Sequence, residues 1–383
     1  MKCIKCDADN KLKERQANSG RCKNCRHPFA FDPKVTPGVD FTDRFFQQSL
    51  STLSVGGSLF FTPRQLYYFF NRRLSAKRTD PSKVAGCILV VGAALIFFLL
   101  LAFKSFSFLW LIPLLLAAAF GLALLLSPAL RRRLRGKEPG QLLATPGQVE
   151  GWYGHWRKLN HEAVKMLPPP APTPGRKPPA AQINPEVMKY SFDRVVVCDR
   201  PEIAQCLIAN NFHFEHNCAV LSLDGYPHDI FEAVMQMLRR NPELSVYALH
   251  DASPIGVALP HILRTDPRWF AGGGANVYDL GLLPRQIFKR PVFVERGWRP
   301  PHGAATIVPP HIAATLEPDE VRWLEEGNYV VLESFTPQTL LRVVALGIAK
   351  SRDPRAGDAL VPVMVGGDGG GGGVFIYTTD SFG

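Results

Sequence analysis

Charged residues are almost absent from one long stretch of this sequence, residues 84–130, in which Lys104 is the one charged side chain. One apolar segment, Val84–Phe103, precedes Lys104, and a second, Leu109–Leu130, follows it. Each has about the 20 residues that a helix needs to cross the hydrocarbon core of a bilayer. The connector between them is short. We therefore expect a two-helix transmembrane hairpin, with the lipid bilayer as a partner.

Two further features are not expected from this sequence, a signal peptide and a disulfide framework. The first apolar run long enough to engage a membrane starts after residue 80, so a cleavable signal peptide is not expected. Of the eight cysteines, four form two tight pairs near the N-terminus and the others lie in apolar runs. This distribution fits a reducing compartment.

Basic residues are concentrated in three places, and together they give a net charge of +11. The clusters lie in residues 2–34, 64–83 and 131–137. The last two flank the predicted hairpin, and the positive-inside rule then places both chain termini in the cytoplasm. Basic clusters also suit nucleic acid, so anionic lipid and nucleic acid both stay open as partners.

The two cysteine pairs have the spacing of a metal site, C-x2-C, fifteen residues and C-x2-C. Each C-x2-C turn brings two thiolates to one side of an ion, and four thiolates complete a tetrahedron without an open position. A module this short depends on its metal to fold. We therefore predict a structural zinc ribbon with the ligands Cys3, Cys6, Cys22 and Cys25.

Residues 40–76 have the pattern of a helix, a turn and a second helix. Apolar residues recur at helical spacing from Phe41 to Leu53, and Gly56-Gly57 interrupts them. Thr62 is a good N-cap, with Pro63 at the first helical position.

Strand and helix patterns alternate further along, which predicts a mostly parallel sheet with helices on both faces. The predicted strands are Arg194–Cys198, Ala219–Leu223, Ser245–Leu249 and Tyr329–Leu332. The predicted helices are Pro201–Asn210, His228–Arg240, Glu317–Glu326 and Pro337–Ala349.

Two acids follow strands of this sheet, Asp199 after the first and Asp251 after the third. Ligands of open parallel sheets bind beyond the carboxyl ends of the strands. Carboxylates on adjacent strand ends can share a magnesium ion. Structural caps at strand ends explain each acid about as well.

Several motifs resemble the Toprim domain of topoisomerase VI A subunits and of the related meiotic double-strand-break transesterases. They are Val195–Asp199, Leu223–Pro227, Val246–Gly256 and Asp279–Pro284, followed by the similar stretch Glu325–Val344. The resemblance implies magnesium held by the Toprim acids, DNA as a partner and a homodimer.

The same family has its nucleophilic tyrosine upstream, and Thr62–Tyr68 is similar to that motif. The resemblance implies that Tyr68 attacks a DNA phosphodiester while Arg64, one helical turn away, steadies the phosphate. An aromatic helix face at Tyr67–Phe70 is the alternative interpretation.

Two departures from the family weaken the predicted metal site. Asp199 stands where the family has Glu, and Ser253 stands where the family has a second Asp. We therefore expect a membrane-anchored nucleic-acid-binding protein in which strand cleavage is weakened or lost. The alternative is a non-enzymatic membrane scaffold or sensor that recruits proteins through the ribbon and the α/β domain.

The predicted domain order has six parts. They are a zinc ribbon (1–34), a helix-turn-helix-like segment (40–78), the transmembrane hairpin (84–130), a basic and Pro-rich linker (131–185), a Toprim-like α/β domain (186–360) and a Gly-rich tail (361–383).

Overall fold

The computed structural model describes ten ranges of the chain, residues 1–76, 142–160, 165–170, 193–241, 243–272, 275–288, 292–297, 308–351, 360–363 and 375–378. The contacts divide the chain into two compact units, Met1–Phe70 with Ala144–Gly383, and Asn71–Leu143. Of the second unit, only residues 71–76 and 142–143 are described. The sheet and both candidate sites belong to the first unit.

The N-terminal elements are helices, α1 (Leu12–Ala17), α2 (Asp43–Leu53), α3 (Pro63–Ala76) and α4 (Pro146–Asn160). The α/β part begins with β1 (Arg194–Cys198), α5 (Pro201–Ala209), α6 (Phe212–Glu215), β2 (Ala219–Ser222), α7 (Phe231–Leu238), β3 (Ser245–Leu249), α8 (Pro254–Thr265) and β4 (Asn276–Asp279). It continues with β5 (Glu295–Arg296), α9 (Pro310–Ala313), α10 (Pro318–Glu325), β6 (Asn328–Tyr329), α11 (Pro337–Lys350), β7 (Leu360–Val363) and β8 (Phe375–Thr378).

Helices α2 and α3 confirm the two helices predicted between residues 40 and 76. A capping box starts α3, because the amide of Gln65 donates to Thr62 Oγ1 at 3.1 Å and the amide of Thr62 donates to Gln65 Oε1 at 2.9 Å. The same exchange joins Thr145 and Gln148 at the start of α4. A Thr-Pro-x-Gln sequence therefore begins both helices.

Helix α4, Pro146–Asn160, lies inside the range 131–185 that was predicted to be a basic and Pro-rich linker. Its buried side chains Val149, Tyr153 and Trp156 are spaced for one helix face. The Trp156 ring stacks on Phe31 of the ribbon at a centroid distance of 6.1 Å and contacts Phe46 of α2 at 5.3 Å. Aromatic packing therefore joins the ribbon, α2 and α4.

The four-stranded sheet has the order β2-β1-β3-β4, and every pair is parallel. One face packs on α5 and α11, and the other on α7 and α8. Both faces of strands such as β1 are buried, which is why their sequences are continuously apolar. The predicted parallel sheet with helices on both faces is confirmed.

Prediction and structure differ nearer the C-terminus. The strand predicted at Tyr329–Leu332 is the two-residue β6, which pairs antiparallel with β5, and residues Leu332–Ser334 form a 3-10 turn. Within the predicted tail, β8 pairs antiparallel with β7. Strand β4 and helix α8 were not predicted.

The prediction of a two-span membrane protein with cytoplasmic termini is contradicted. Among the described residues, no helix is long and apolar enough to cross a bilayer. The predicted hairpin at 84–130 lies outside the described residues.

Candidate functional site

Two cysteine turns of the same geometry form the N-terminal ribbon. In the first, the amide of Asp7 donates to the carbonyl of Cys3, and in the second the amide of Arg26 donates to the carbonyl of Cys22. Asp7 and Arg26 both have left-handed backbone, with φ of 54° and 61°. The turns bring four sulfur atoms within 4.8 Å of one another, those of Cys3, Cys6, Cys22 and Cys25.

These cysteines fit a metal ion. The Asn10 side-chain amide donates to Cys22 Sγ at 3.5 Å. Burial acts to raise the pKa of Cys22, but the backbone amides of Cys25 and Asn24 lower it to about 6, which favours the thiolate that binds metal. Burial raises the pKa of Cys3 to about 12, so the two thiols differ in how readily they ionise. Among the described residues, the four cysteines are the one group of three or more Cys, His, Asp or Glu side chains close enough to share an ion.

A second cluster lies at the carboxyl end of the sheet, where the strand order reverses between β1 and β3. Asp199 follows β1 and Asp251 lies two residues beyond β3, and Asp199 Oδ2 accepts the amide of Asp251 at 2.8 Å. Asp251 Oδ1 accepts the amide of Leu332 at 2.7 Å. The structure therefore brings together the two acids that the sequence singled out.

Glu333 is a third buried acid in this cluster, and three side chains from distant parts of the chain approach it. Thr62 Oγ1 donates to Glu333 Oε1 at 2.7 Å. Arg200 Nη1 lies 2.9 Å from Glu333 Oε2, off the hydrogen-bond direction, and 3.6 Å from Asp251 Oδ2. Arg64 Nη1 lies 3.9 Å from the same Glu333 oxygen.

Burial dominates the electrostatics of these acids. It raises the pKa of Asp199 well above its usual range, and the Asp251 charge adds to that shift. Burial also raises the pKa values of Asp251 and Glu333, although Arg200 opposes both shifts. The Arg200 guanidinium is therefore the main compensating charge between Asp251 and Glu333.

The arrangement does not fit the predicted magnesium ion. Magnesium requires near-octahedral oxygen ligands, but both oxygens of Asp251 face protein cations or amides. Asp199 Oδ1 is buried and has no hydrogen-bond partner in the described part of the chain, which leaves one unused carboxylate oxygen on this pair. Ser253, at the position of the family's second Asp, instead caps α8 by accepting the amide of Gly256 at 3.0 Å.

His250 is fully buried, and its two polar neighbours favour the imidazolium form. Its Nδ1 lies 2.8 Å from the carbonyl oxygen of Asp251, and its Nε2 lies 3.0 Å from Asp279 Oδ1. Both neighbours are acceptors, so both ring nitrogens carry a proton. Gly281 makes room for the ring, since a Cβ there would lie 2.1 Å from it.

The charge of His250 predicts a loss of stability at alkaline pH. Burial alone would lower its pKa, but the Asp279 carboxylate raises it to about 9 from the ordinary 6.5. A raised pKa contributes stability that is complete below pH 6.5 and is lost as the pH rises through 9, here about 3 kcal/mol. Urea unfolding across this range should show the loss in the wild type and not in His250→Gln.

The matched control for this experiment is His311→Gln, which removes an exposed histidine. It should keep the wild-type pH dependence of the free energy of unfolding. An equal pH dependence in His250→Gln and wild type would contradict the assignment of the imidazolium.

Tyr68, the predicted nucleophile, is fully buried, and its hydroxyl has no hydrogen-bond partner among the residues that the structure describes. Its ring packs against Phe293 at a centroid distance of 6.1 Å. Arg64, on the same helix, reaches the carboxylate cluster, whereas Tyr68 is enclosed by apolar packing. This matches the aromatic helix face that was the alternative interpretation.

Sequence reasoning missed Glu333, Arg200 and His250 as members of the cluster. Arg200 directly follows Asp199, and His250 directly precedes Asp251. Their positions next to the two predicted acids were the signal that could have identified them. Glu333 follows β6 in a short turn, and its partner Thr62 is 271 positions away.

Comparison of the chain with protein-family models, with curated proteins and with solved structures gives no match.

Proposed function

We propose that this chain is a nucleic-acid-binding protein of the topoisomerase VI A-like Toprim type, with a structural zinc ribbon and a carboxylate centre that does not cleave strands. The observation that best supports nucleic-acid binding is the exposed positive charge of the ribbon. Eight basic side chains of residues 1–34 are exposed, against the two acids Asp7 and Asp9, and they are Lys2, Lys5, Lys11, Lys13, Arg21, Lys23, Arg26 and Lys34. Such a surface attracts a polyanion.

The proposed loss of cleavage rests on two observations, one in the carboxylate cluster and one at Tyr68. A cleaving centre of this type needs a metal to neutralise phosphate charge, and Arg200 lies between the carboxylates instead. It also needs an accessible nucleophile, but the hydroxyl of Tyr68 is buried in apolar packing.

Zinc is the metal that four cysteine ligands favour, because a tetrahedral set of soft thiolates selects zinc or an iron–sulfur cluster. Cys3, Cys6, Cys22 and Cys25 would hold it with no position left for substrate, so its role would be structural.

The binding is tested by fluorescence anisotropy with a short labelled DNA duplex across about 50–200 mM salt. We expect the logarithm of the affinity to fall linearly with the logarithm of the salt concentration. Lys11→Gln with Lys13→Gln should weaken binding and make the slope shallower by about 0.9 for each phosphate contact removed.

The control pair, Arg240→Gln with Arg342→Gln, removes two exposed charges outside the ribbon. It should leave affinity and slope unchanged. Tighter binding of polyglutamate than of DNA would refute the proposal of nucleic-acid binding and indicate an acidic protein partner. The absence of salt-dependent DNA binding would also refute it. A covalent protein–DNA adduct that forms with magnesium or manganese and is lost in Tyr68→Phe would show that the protein does cleave strands.

A further inference from the structure

Two pairs of sulfur atoms in the ribbon are in contact, and each pair joins one C-x2-C turn to the other. Cys3 Sγ lies 3.6 Å from Cys25 Sγ, and Cys6 Sγ lies 3.6 Å from Cys22 Sγ. These contacts are called the cross-turn pairs below. Formation of a bond within each pair would connect the two turns twice.

Each cross-turn pair combines a partly exposed thiol with a buried one. Cys6 and Cys25 are partly exposed to solvent, whereas Cys3 and Cys22 are fully buried. An oxidant in solvent reaches the exposed member of a pair first, and the buried member lies directly beside it. In redox-sensitive sites, a second cysteine in this position condenses with the sulfenic acid formed on the first.

The backbone around the pairs is held by hydrogen bonds that do not involve the metal. Asn10 Nδ2 donates to the carbonyl of Ala8 beside the first turn at 2.8 Å, and Asn10 Oδ1 accepts the amide of Lys23 in the second turn at 2.8 Å. A disulfide requires the sulfur atoms to approach to about 2.05 Å. Side-chain rotation can supply this movement while Asn10 keeps the turns together.

We propose that the ribbon is a reversible oxidation site, in which hydrogen peroxide converts the cross-turn pairs into disulfides and the metal is released. The thiolate of Cys6 or Cys25 attacks the peroxide, the O–O bond breaks, and the sulfur becomes a sulfenic acid as one hydroxide leaves. The buried thiolate of the same pair then attacks that sulfur, forms the S–S bond and releases a second hydroxide. Each bridge therefore oxidises two thiolates and reduces one peroxide, and two protons from solvent turn the hydroxides into water.

The two bridges would link the same turns that the metal links. The oxidised ribbon should therefore stay folded after it loses its metal, and Phe31 should remain packed on Trp156. A reduced ribbon stripped by a chelator has neither metal nor bridges and should unfold. This inference rests on the proposed function, because it takes the four thiolates as the ligands of a structural zinc ion.

The test treats the zinc-loaded full chain with hydrogen peroxide and follows zinc release with a metal-sensitive dye. Unreduced tryptic peptides are then identified by mass spectrometry. Cleavage after Lys5 and Lys23 separates the two cysteines of each turn, so the peptides distinguish every possible pairing. We expect the loss of one zinc ion per chain, both cross-turn bridges, and recovery of zinc binding after dithiothreitol.

Two controls accompany this experiment. Three fully buried thiols of the α/β part, Cys198, Cys206 and Cys218, should stay reduced in the same sample. The tryptophan fluorescence of the oxidised protein should stay close to that of the zinc-bound protein. A shift as large as the one produced by a chelator would overturn the proposal that the bridges replace the metal.

Other patterns of oxidation would also overturn the proposal. They are bridges within a turn, the alternative pairs Cys3–Cys22 and Cys6–Cys25, sulfonic acids in place of bridges, or no oxidation under excess peroxide. The zinc content of the reduced protein is measured first, so that the two proposals fail separately. A reduced chain without zinc would refute the proposed structural zinc, whereas the tryptic peptides would still show whether the cross-turn pairs are the site of oxidation.

Discussion

Arg200→Met should destabilise the protein by about 3–5 kcal/mol, the largest effect that we expect from a single side chain outside the ribbon. The guanidinium lies 2.9 Å from Glu333 Oε2 and 3.6 Å from Asp251 Oδ2. Methionine fills a similar volume without charge and leaves two buried carboxylates without their main compensating cation. Urea unfolding followed by circular dichroism measures the change.

Protonation should partly restore this variant. The carboxylates left behind avoid their desolvation cost by binding protons, so the difference between Arg200→Met and wild type should narrow as the pH falls. Arg268→Met is the matched control, since Arg268 pairs with Asp266 on the surface and should change stability little. A loss below about 1 kcal/mol in Arg200→Met would show that the cluster does not depend on this charge.

Removal of the ribbon metal should unfold residues 1–34 while the sheet remains folded. Structural zinc contributes about 10–16 kcal/mol to the folding of finger peptides, and the ribbon is too short to fold by burial alone. Cys22→Ser, or a strong chelator, should abolish metal binding measured by mass spectrometry. The tryptophan fluorescence of the protein should shift to longer wavelength, because Trp156, one of its six tryptophans, packs on Phe31 of the ribbon.

Cys218→Ser is the control for metal content, since Cys218 is a buried thiol outside the ribbon. Its metal content should equal that of the wild type. A full metal content in Cys22→Ser, or unchanged tryptophan fluorescence on chelation, would contradict a folding role for the ion.

Local sequence patterns were enough to predict the elements that depend only on residues near one another in the sequence. The spacing of the cysteines predicted the group at residues 3–25, and the apolar runs predicted β1 and β3 at Arg194–Cys198 and Ser245–Leu249. The approach of Asp199 to Asp251 followed from the rule that parallel strands end at one edge of a sheet.

What could not be predicted depends on contacts between distant residues. Glu333 contacts Thr62 and Arg64, which lie at the start of α3 and are distant from it in the sequence. Helix α4 was missed because Gly147, Gly151 and Gly154 have low helix propensity, and packing on Phe31 and Phe46 stabilises it instead. The hydropathy of residues 84–130 led to a membrane prediction that the described helices contradict.

The hydrogen bond between Thr62 and Glu333 has a consequence for how the chain can be divided. A fragment that started at residue 186 would keep all four strands of the sheet but lose Thr62 and Arg64, so one oxygen of Glu333 would have no donor. It would also lose Phe60, whose amide and carbonyl both bond to the side chain of Asn210 on the sheet side. A fragment that keeps these contacts of the acidic cluster and of Asn210 therefore has to include Phe60, Thr62 and Arg64 as well as the sheet.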